Sequence, residues 1–164
     1  VIRIMFQNSY RYLFFIFLQA LIYITLTSCD SKTVYDEYRH TPISGWEKND
    51  TLFFDTKPIE KDGYYSEDIG LRINSAFPFT GLCIIVEQKM KTSKQVKTDT
   101  VFCKLIDKDG SVKGYGISSY QYNFHVTDVN LKRGETLRFY LRHNMKREIL
   151  PGISDIGISI RRLD

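Results

Sequence analysis

The chain has 164 residues, a formal net charge of +4 and a sequence pI of about 8.9, values that fit one domain of ordinary size. Hydrophobic residues make up 43% of it and charged residues 26%, a balance that excludes a disordered tail and a polytopic membrane protein. Aromatic residues reach 14% and favour strands over helices. The three cysteines are too few for a disulfide-stapled scaffold.

The first 28 residues have the composition of a secretory signal. They contain no acidic residue, and two arginines precede an almost wholly apolar run over residues 12–26. A membrane-spanning helix needs about 20 predominantly apolar residues, and this run is shorter, at about 15. We therefore expect cleavage, with retention as a transmembrane helix as the alternative. Translation starts either at Val1, from an alternative start codon, or at Met5.

The end of the apolar run resembles a bacterial lipobox. A bulky aliphatic residue and two small residues precede a cysteine, in the order Leu26, Thr27, Ser28 and Cys29. In such signals the cysteine sulfur receives a diacylglyceryl group, the chain is cut directly before it, and the new amino-terminus is acylated. Each buried CH₂ contributes about 0.8 kcal/mol, so two or three acyl chains make the anchorage effectively permanent. We expect a lipid anchor at Cys29; the alternative is an ordinary cysteine beside a conventional cleavage site.

The sequence predicts three parts: a signal peptide over residues 1–28, a lipid-anchored tether over residues 29–45 and a domain over residues 46–164. The tether is predicted because residues 30–45 show no hydrophobic period and are rich in turn residues towards Gly45. Trp46 marks the entry to the domain.

The charge of the mature chain argues against nucleic-acid binding. Removal of the signal takes away two positive charges and no negative one, so the net charge falls from +4 to +2, which is too little for a nucleic-acid footprint. Four lysines, at positions 89, 91, 94 and 97, surround a predicted hairpin tip. Solvated lysines are common at such edges, and a membrane-surface or partner patch is the alternative.

Residues 46–164 contain short runs of period two, separated by turn residues. The predicted strands are residues 51–56, 65–74, 82–90, 96–106, 111–118, 120–129 and 135–144, and a last strand that contains Ile156, Ile158 and Ile160. Between two of them, Asp109 and Gly110 form the residue pair that tight turns prefer. Without a long helical period, these runs predict an all-β fold: an antiparallel, jelly-roll-like β-sandwich of about eight strands.

The alternation in the strand of residues 135–144 assigns its two faces. Phe139 and His143 are expected in the core, whereas Arg138, Tyr140 and Arg142 are expected to point outward. Arginine and tyrosine are enriched at interface hot spots, so the outward three are the candidate contacts with a partner. An ordinary solvated face is the alternative.

No arrangement of reactive residues points to an enzyme. The three histidines lie on unrelated segments without metal-ligand spacing. The Gly-x-Gly of residues 114–116 follows a turn rather than opening a helix, and Asp107 and Asp109 lack the rest of a calcium loop. We therefore predict no catalytic, metal-binding or cofactor-binding residue.

Two cysteines besides Cys29 raise the question of a disulfide. Cys83 and Cys103 would lie in an oxidising compartment, where disulfides form. With Leu82 and Ile84 facing the core, Cys83 points outward, whereas Cys103 falls on the inward side of its strand. Residues on opposite faces cannot be bridged. A disulfide therefore requires the opposite pairing parity, an alternative that stays open.

The order of the motifs along the chain resembles the gliding-motility lipoprotein family GldH. After the lipobox these motifs are Asp30-Ser31, residues 34–38, Gly45-Trp46, Leu82 with residues 84–87, residues 98–100, Asp109-Gly110, residues 143–147, and Leu150 with Gly152, Ile153 and residues 155–157. The resemblance covers nearly all of the chain after the signal. It implies an outer-membrane lipoprotein, lipid-anchored and facing the periplasm, that binds other gliding-motility lipoproteins and works beside the type IX secretion machinery. Cys29 is the position to which it assigns a role.

A second hypothesis is a glycan-binding β-sandwich lipoprotein. Tyr120, Tyr122 and Phe124 alternate along one strand face, where aromatic rings could stack on sugars. The other face of that strand is polar, which favours a core position for the three rings. Partner binding without catalysis is therefore the preferred interpretation.

Overall fold

The computed structural model describes Gln19 and residues 32–163. The chain divides into two compact units, Val1–Ser31 and Lys32–Asp164. The strands described below belong to the second unit. The predicted lipid attachment at Cys29 and all of the predicted signal except Gln19 lie outside the described residues. Within the described part, no helix has the length and apolar character needed to cross a membrane.

Ten strands form three antiparallel sheets in residues 32–163. The strands are β1 (Thr33–His40), β2 (Trp46–Glu47), β3 (Leu52–Asp55), β4 (Gly63–Asn74), β5 (Gly81–Met90), β6 (Val96–Lys104), β7 (Ser119–Leu131), β8 (Leu137–His143), β9 (Ile149–Leu150) and β10 (Ile153–Arg162). Sheet I has the order β1-β10-β4-β7, sheet II has the order β3-β8-β5-β6, and a short ribbon pairs β2 with β9. The predicted antiparallel all-β sandwich is confirmed, with ten strands instead of about eight.

The inward faces of sheets I and II supply the core, because alternate residues of a strand point to the same side. Ile69 of β4 pairs with Ile158 of β10, and Phe139 of β8 pairs with Phe54 of β3. All four side chains are buried. Tyr140, the next residue along β8, is only half-buried, so the predicted faces of this strand are confirmed.

The two ends of the sandwich are built from different loops. The near pole comprises residues 56–62, 91–95 and 132–136, and both ends of the described chain lie there, since the Arg162 N–H donates to the Lys32 carbonyl at 2.8 Å. The far pole comprises residues 41–51, 75–80, 105–118 and 144–148. Strand β7 runs from the far pole to the near pole; its 13 residues, at roughly 3.3 Å each, span about 40 Å.

Residues 33–40, predicted as part of the tether of residues 29–45, form strand β1 and pair with β10 along their length. The prediction was wrong because polar contacts take the place of an apolar period on the inward side of this edge strand. The Tyr35 hydroxyl donates to Glu37 at 2.8 Å, and Glu37 forms a 2.7 Å ion pair with Arg39. The folded domain therefore begins at β1 and not at Trp46.

Residues 111–118, predicted as a strand, belong to a loop between β6 and β7. Within the described residues, this loop takes part in isolated β-bridges and not in a strand. Val112 and Ile117 are exposed, so the period-two pattern did not reflect burial against a sheet. The predicted Asp-Gly turn is confirmed, because Gly110 has a φ of +85°.

Candidate interaction surface

The outward face of sheet II brings the predicted partner residues together on β8, between β3 and β5. The cross-strand neighbours are Asp55 and Lys89 for Arg138, Phe53 and Glu87 for Tyr140, and Ile85 for Arg142. A row of three charged side chains thus lies beside two rows that mix charged and apolar or aromatic ones. The contacts of the three residues depend on the register of β8 with β3 and β5. This register could not be read from the sequence.

Arg138 is engaged within the fold. Its Nε and Nη2 each lie 2.7 Å from an oxygen of the Asp55 carboxylate, and Lys91 Nζ lies 3.0 Å from Asp55 Oδ1. Hydrogen bonds from Arg138 and Lys91 lower the pKa of Asp55 to about 2. Arg138 therefore joins edge strand β3 to β8, and its charge is already neutralised.

Tyr140 and Arg142 differ in how much of their surface is available. Lys89 Nζ lies 4.7 Å from the centroid of the Tyr140 ring and 3.1 Å from Glu87 Oε1, so Tyr140 belongs to a local cation–π contact. Arg142 is exposed beside Ile85. Within residues 32–163 no ion pair or hydrogen bond engages its guanidinium. Of the three predicted partner contacts, Arg142 is therefore the one whose charge is free in that range.

A groove of about 630 Å³ opens where this face meets the far pole. We call it the far-pole groove and define it by its apolar lining of Leu82, Cys83, Phe102, Ile106 and Met145. Phe102 lies on edge strand β6 directly opposite Cys83 and is 78% exposed. Sequence reasoning missed this groove because Ile106 and Met145 come from loops whose packing carries no periodic signal.

The loop of residues 105–118 adds exposed apolar side chains to the far pole. Tyr115 is 87% exposed and Ile117 is 97% exposed. Tyr115 bridges to Gln121 of β7 and lines a different cavity with Tyr122, so it does not belong to the far-pole groove.

Cys83 and Cys103 are free thiols on opposite faces of sheet II. Cys83 pairs with the outward Phe102, and Cys103 pairs with the inward Leu82, so the argument from opposite faces is confirmed. Burial raises the pKa of Cys103 to about 12. Since the thiolate is the reactive form, this cysteine is chemically inert at neutral pH.

His143 lies in the core, as predicted. Its Nε2 is 3.2 Å from the Trp46 carbonyl oxygen, and the Met145 N–H donates to Nδ1 at 3.4 Å. Burial lowers the pKa of His143. The neutral ring therefore carries its proton on Nε2 and links β8 to β2 by a hydrogen bond. Both ring nitrogens are engaged within the fold, so neither is left for a ligand.

Sequence reasoning missed a cluster of Ser66, Asp68, His125 and Asp128 on the outward face of sheet I. Ser66 Oγ and Asp68 Oδ1 each lie 3.1 Å from His125 Nδ1, and Nε2 lies 3.4 Å from Asp128 Oδ1. A register shift between β4 and β7 places these side chains together. The signal for it was therefore in the strand pairing and not in the spacing of the residues.

The composition of this cluster is that of a hydrolase triad, but its setting differs. Strand β4 lies between β10 and β7, so Ser66 lies within a paired strand and not on the exposed turn that presents the nucleophile in hydrolases. The cluster acts as a polar link across two strands.

The rings on which the glycan-binding hypothesis rested belong to the core. Tyr122 is buried and stacks on Phe124 with ring centroids 6.0 Å apart. Tyr120 and Phe124 are half-buried against the hydrophobic core. All three rings pack against the core, which leaves Tyr122 in particular little exposed surface for stacking on a sugar.

The acidic residues of the far-pole loop are held by their own neighbours. The Asp107 carboxylate accepts from Lys104 and lies 3.5 Å from Lys113 Nζ, while Asp109 accepts from the backbone and hydroxyl of Ser111. Hydrogen bonds from these partners lower the pKa of both carboxyl groups. They therefore stabilise the turn in their ionised form.

Fold and surface together define a small antiparallel β-sandwich domain whose polar clusters serve its own packing. A family model described as GldH lipoprotein matches residues 33–160, which is nearly the whole span from β1 to β10. The chain belongs to the GldH lipoprotein family, and the resemblance found in the sequence is confirmed.

The curated relatives carry the same description. The gliding motility lipoprotein GldH of Flavobacterium johnsoniae is 29% identical over 150 residues, which cover 86% of this chain and 92% of that protein. A GldH homolog of Christiangramia forsetii is 26% identical over 163 residues, covering 94% and 99%. Among solved structures, a family GH115 4-O-methyl-alpha-glucuronidase aligns with a TM-score of 0.45 and 10% identity, over 84% of this chain and 18% of that one. That likeness is too low to inform on function.

Proposed function

We propose that this protein is an outer-membrane lipoprotein of the gliding machinery that binds neighbouring gliding-motility lipoproteins and acts without catalysis. The observation that carries the proposal is the extent of the GldH match, because residues 33–160 are the residues that fold as the sandwich. The family's role is therefore assigned to this domain. Its histidine and carboxylate clusters support a non-catalytic role, since their groups are engaged with one another.

The anchor follows from the lipobox and from the position of β1. Cys29 precedes Lys32 by three residues, a distance of at most about 10 Å in an extended chain. Since β1 begins at Thr33 and Lys32 lies at the near pole, acyl chains on Cys29 would hold this pole close to the bilayer. Confinement to the membrane raises the effective concentration of other anchored proteins, so modest interfaces suffice.

The near pole is chemically suited to face a lipid surface. Its loops carry six basic residues, namely Lys57, Lys61, Lys91, Lys94, Lys132 and Arg133. Three acidic residues accompany them, and one of these, Glu135, is buried and accepts from the backbone N–H groups of Thr92 and Ser93. Exposed lysines near an anionic surface are each worth about 1 kcal/mol. The near pole thus supports membrane placement, and the outward face of sheet II remains free for partners.

Co-isolation from detergent-solubilised cell envelope, read out by mass spectrometry, tests the proposal. We expect other gliding-motility lipoproteins to accompany the native protein and to be reduced with Arg142→Glu. Arg161→Glu, an exposed charge reversal on the outward face of sheet I, is the matched control and should leave co-isolation unchanged. Absence of any gliding-motility lipoprotein from the native sample would contradict the proposal. Specific retention of the purified protein on a polysaccharide would favour glycan binding instead.

A further inference from the structure

We infer that the far-pole groove is the docking site for an apolar segment of a partner protein in which acidic residues flank the apolar anchor. The inference rests on the proposed function and specifies the chemistry of the contact.

The groove has the size and lining of a site for an apolar side chain. Its volume of about 630 Å³ lies within the range of pockets that bind small apolar groups. Phe102 forms one wall while 78% of it stays exposed, and Leu82, Ile106 and Met145 add aliphatic lining. Aromatic and aliphatic side chains in this state are what an interface buries at its centre.

The membrane that holds the chain is the wrong occupant, because it lies at the other end of the sandwich. The described chain enters at Lys32 on the near pole, whereas β6 and the loop after it bring Phe102 and Ile106 to the far pole. The poles lie about 40 Å apart, which is the length of strand β7. The chain between Cys29 and Lys32 reaches at most about 10 Å, so it is too short to fold back into the groove.

The charge around the groove specifies the partner. The groove lining carries Lys104 and Lys108 against Asp107, and Lys146 and Arg147 directly follow the lining residue Met145 along the chain. Asp107 already pairs with Lys104 and Lys113. Within residues 32–163 no ion pair engages Lys108, Lys146 or Arg147. Carboxylates of a partner complement this surface, whereas a second copy of the chain would bring the same positive charge and be repelled.

The bordering strand favours docking of side chains over addition of a strand. Strand β6 is an edge strand, yet its inward positions include Lys97 and Asp99, which form an ion pair at 3.5 Å. Charged residues pointing inward on an edge strand discourage pairing with another strand. The partner segment therefore meets this edge through the groove and not through a β-ladder.

Site-specific photo-crosslinking of the full chain in its own cell envelope tests the inference. p-Benzoylphenylalanine replaces Phe102 in one protein and Tyr64 in the control, since Tyr64 is 59% exposed on β4 of sheet I, away from the outward face of sheet II. We expect a protein adduct from position 102, and not from position 64. The cross-linked partner peptide should contain an apolar residue flanked by Asp or Glu. Combining position 102 with Lys108→Glu and Lys146→Glu should reduce that adduct at least about tenfold, because like charges then face each other. Combining it with Arg161→Glu, an exposed charge reversal on the outward face of sheet I, should leave the adduct unchanged.

Each other outcome overturns the inference. An adduct with lipid would place the groove on a membrane, and an adduct with this chain would make it a self-association site. A protein adduct that is unchanged by the two charge reversals, or equal protein adducts from positions 102 and 64, would show that the groove does not select an acidic partner. Protease resistance of each variant in the same envelope shows that it is folded. If gliding-motility lipoproteins still co-isolate while position 102 yields no adduct, the proposed function stands and this inference alone fails.

Discussion

Arg138 and Asp55 form a bidentate ion pair across β8 and β3, with both N···O distances at 2.7 Å. β3 is an edge strand of four residues. Because it has few backbone hydrogen bonds, its attachment to the sheet depends more on side-chain contacts than that of a long central strand does. The pair lies on the outward face that we assign to partners, and it separates the roles of two arginines there. Arg138 positions a strand, and Arg142 is free to contact a partner.

Arg138→Met should therefore lower the urea midpoint of unfolding, whereas Arg142→Met should not. The pKa of Asp55 is lowered to about 2 in the folded protein, so the stabilisation by its charged form is present above the unfolded pKa of about 3.9 and is lost as the pH falls towards 2. The difference between native protein and Arg138→Met should shrink over that interval. Urea unfolding of a chain of residues 30–164 at several pH values measures it. Equal midpoints for the two variants at neutral pH would contradict the assignment.

Phe139 and Tyr140 test the faces of β8. Phe139 is fully buried opposite Phe54, and Tyr140 lies outside against Lys89. Phe139→Ala should cost roughly 3 to 5 kcal/mol of unfolding free energy through lost burial and a cavity. Tyr140→Ala should cost much less, since its ring leaves only a surface contact. Chemical denaturation of both variants gives the two values, and similar losses would mean that the two faces are exchanged.

The strands that the sequence predicted well are those whose alternation coincides with burial. In β8, Leu137, Phe139 and Leu141 are all buried, and their polar neighbours are not. β1 was missed because Tyr35, Glu37 and Arg39 bond to one another and give no apolar period. Residues 111–118 were assigned to a strand because Tyr115 and Ile117 recur at period two, although both are exposed. Periodicity therefore reports strands only where a facing sheet exists to bury one side.

The candidate site was predictable only in part. Alternation placed Arg138, Tyr140 and Arg142 outward correctly, but it gave no information on Asp55, which is 83 residues from Arg138 along the chain. The far-pole groove depends on Met145 and the loop after β6 meeting β5. Such contacts arise from the packing of loops, which carry no repeating pattern.

Glu67 of sheet I and Gln88 of sheet II both point into the interior and are almost fully buried. No hydrogen-bond partner satisfies either Glu67 oxygen within the described residues. Burial raises the pKa of Glu67 to about 8, although the nearby Lys97 favours the charged form. Because the folded pKa lies above the unfolded one, full stability is present below about pH 4.3 and declines as the pH rises towards 8.

Glu67→Gln should remove that decline, because a neutral amide of the same size has no charge to desolvate. We expect the variant to be more stable than the native protein above pH 8, by on the order of a few kcal/mol. The advantage should disappear near pH 4. Thermal unfolding between pH 4 and 9 measures both limits, and Glu60→Gln, at an exposed loop residue, is the control. A native protein whose stability stays flat over this range would show that the Glu67 carboxyl is not desolvated.

The correction at β1 makes a chain that starts at residue 46 a test of the domain boundary. Removal of β1 would expose the edge of β10, which pairs with β1 along seven residues. A chain of residues 32–164 should be monomeric, and a chain of residues 46–164 should be less stable and aggregate. A point variant gives an independent check: at Gly157 an added Cβ would lie 2.7 Å from the Tyr38 ring, so Gly157→Ala should also loosen β1. Size-exclusion chromatography and urea unfolding compare them; equal behaviour of the two truncated chains would restore the tether interpretation.

Cys29 decides how the domain is held. Replacing it with alanine removes the sulfur to which the diacylglyceryl group is attached, so Cys29→Ala should incorporate no fatty-acid analogue and should appear as an uncleaved or soluble product. Two or three acyl chains hold a protein on a membrane effectively irreversibly, so the native protein should remain in the membrane fraction. Metabolic labelling followed by fractionation measures both effects, and Cys83→Ala, which removes a buried thiol of the folded domain, is the matched control and should stay labelled. Label retained by the Cys29→Ala protein would contradict the anchor, and with it the placement of the near pole beside the bilayer.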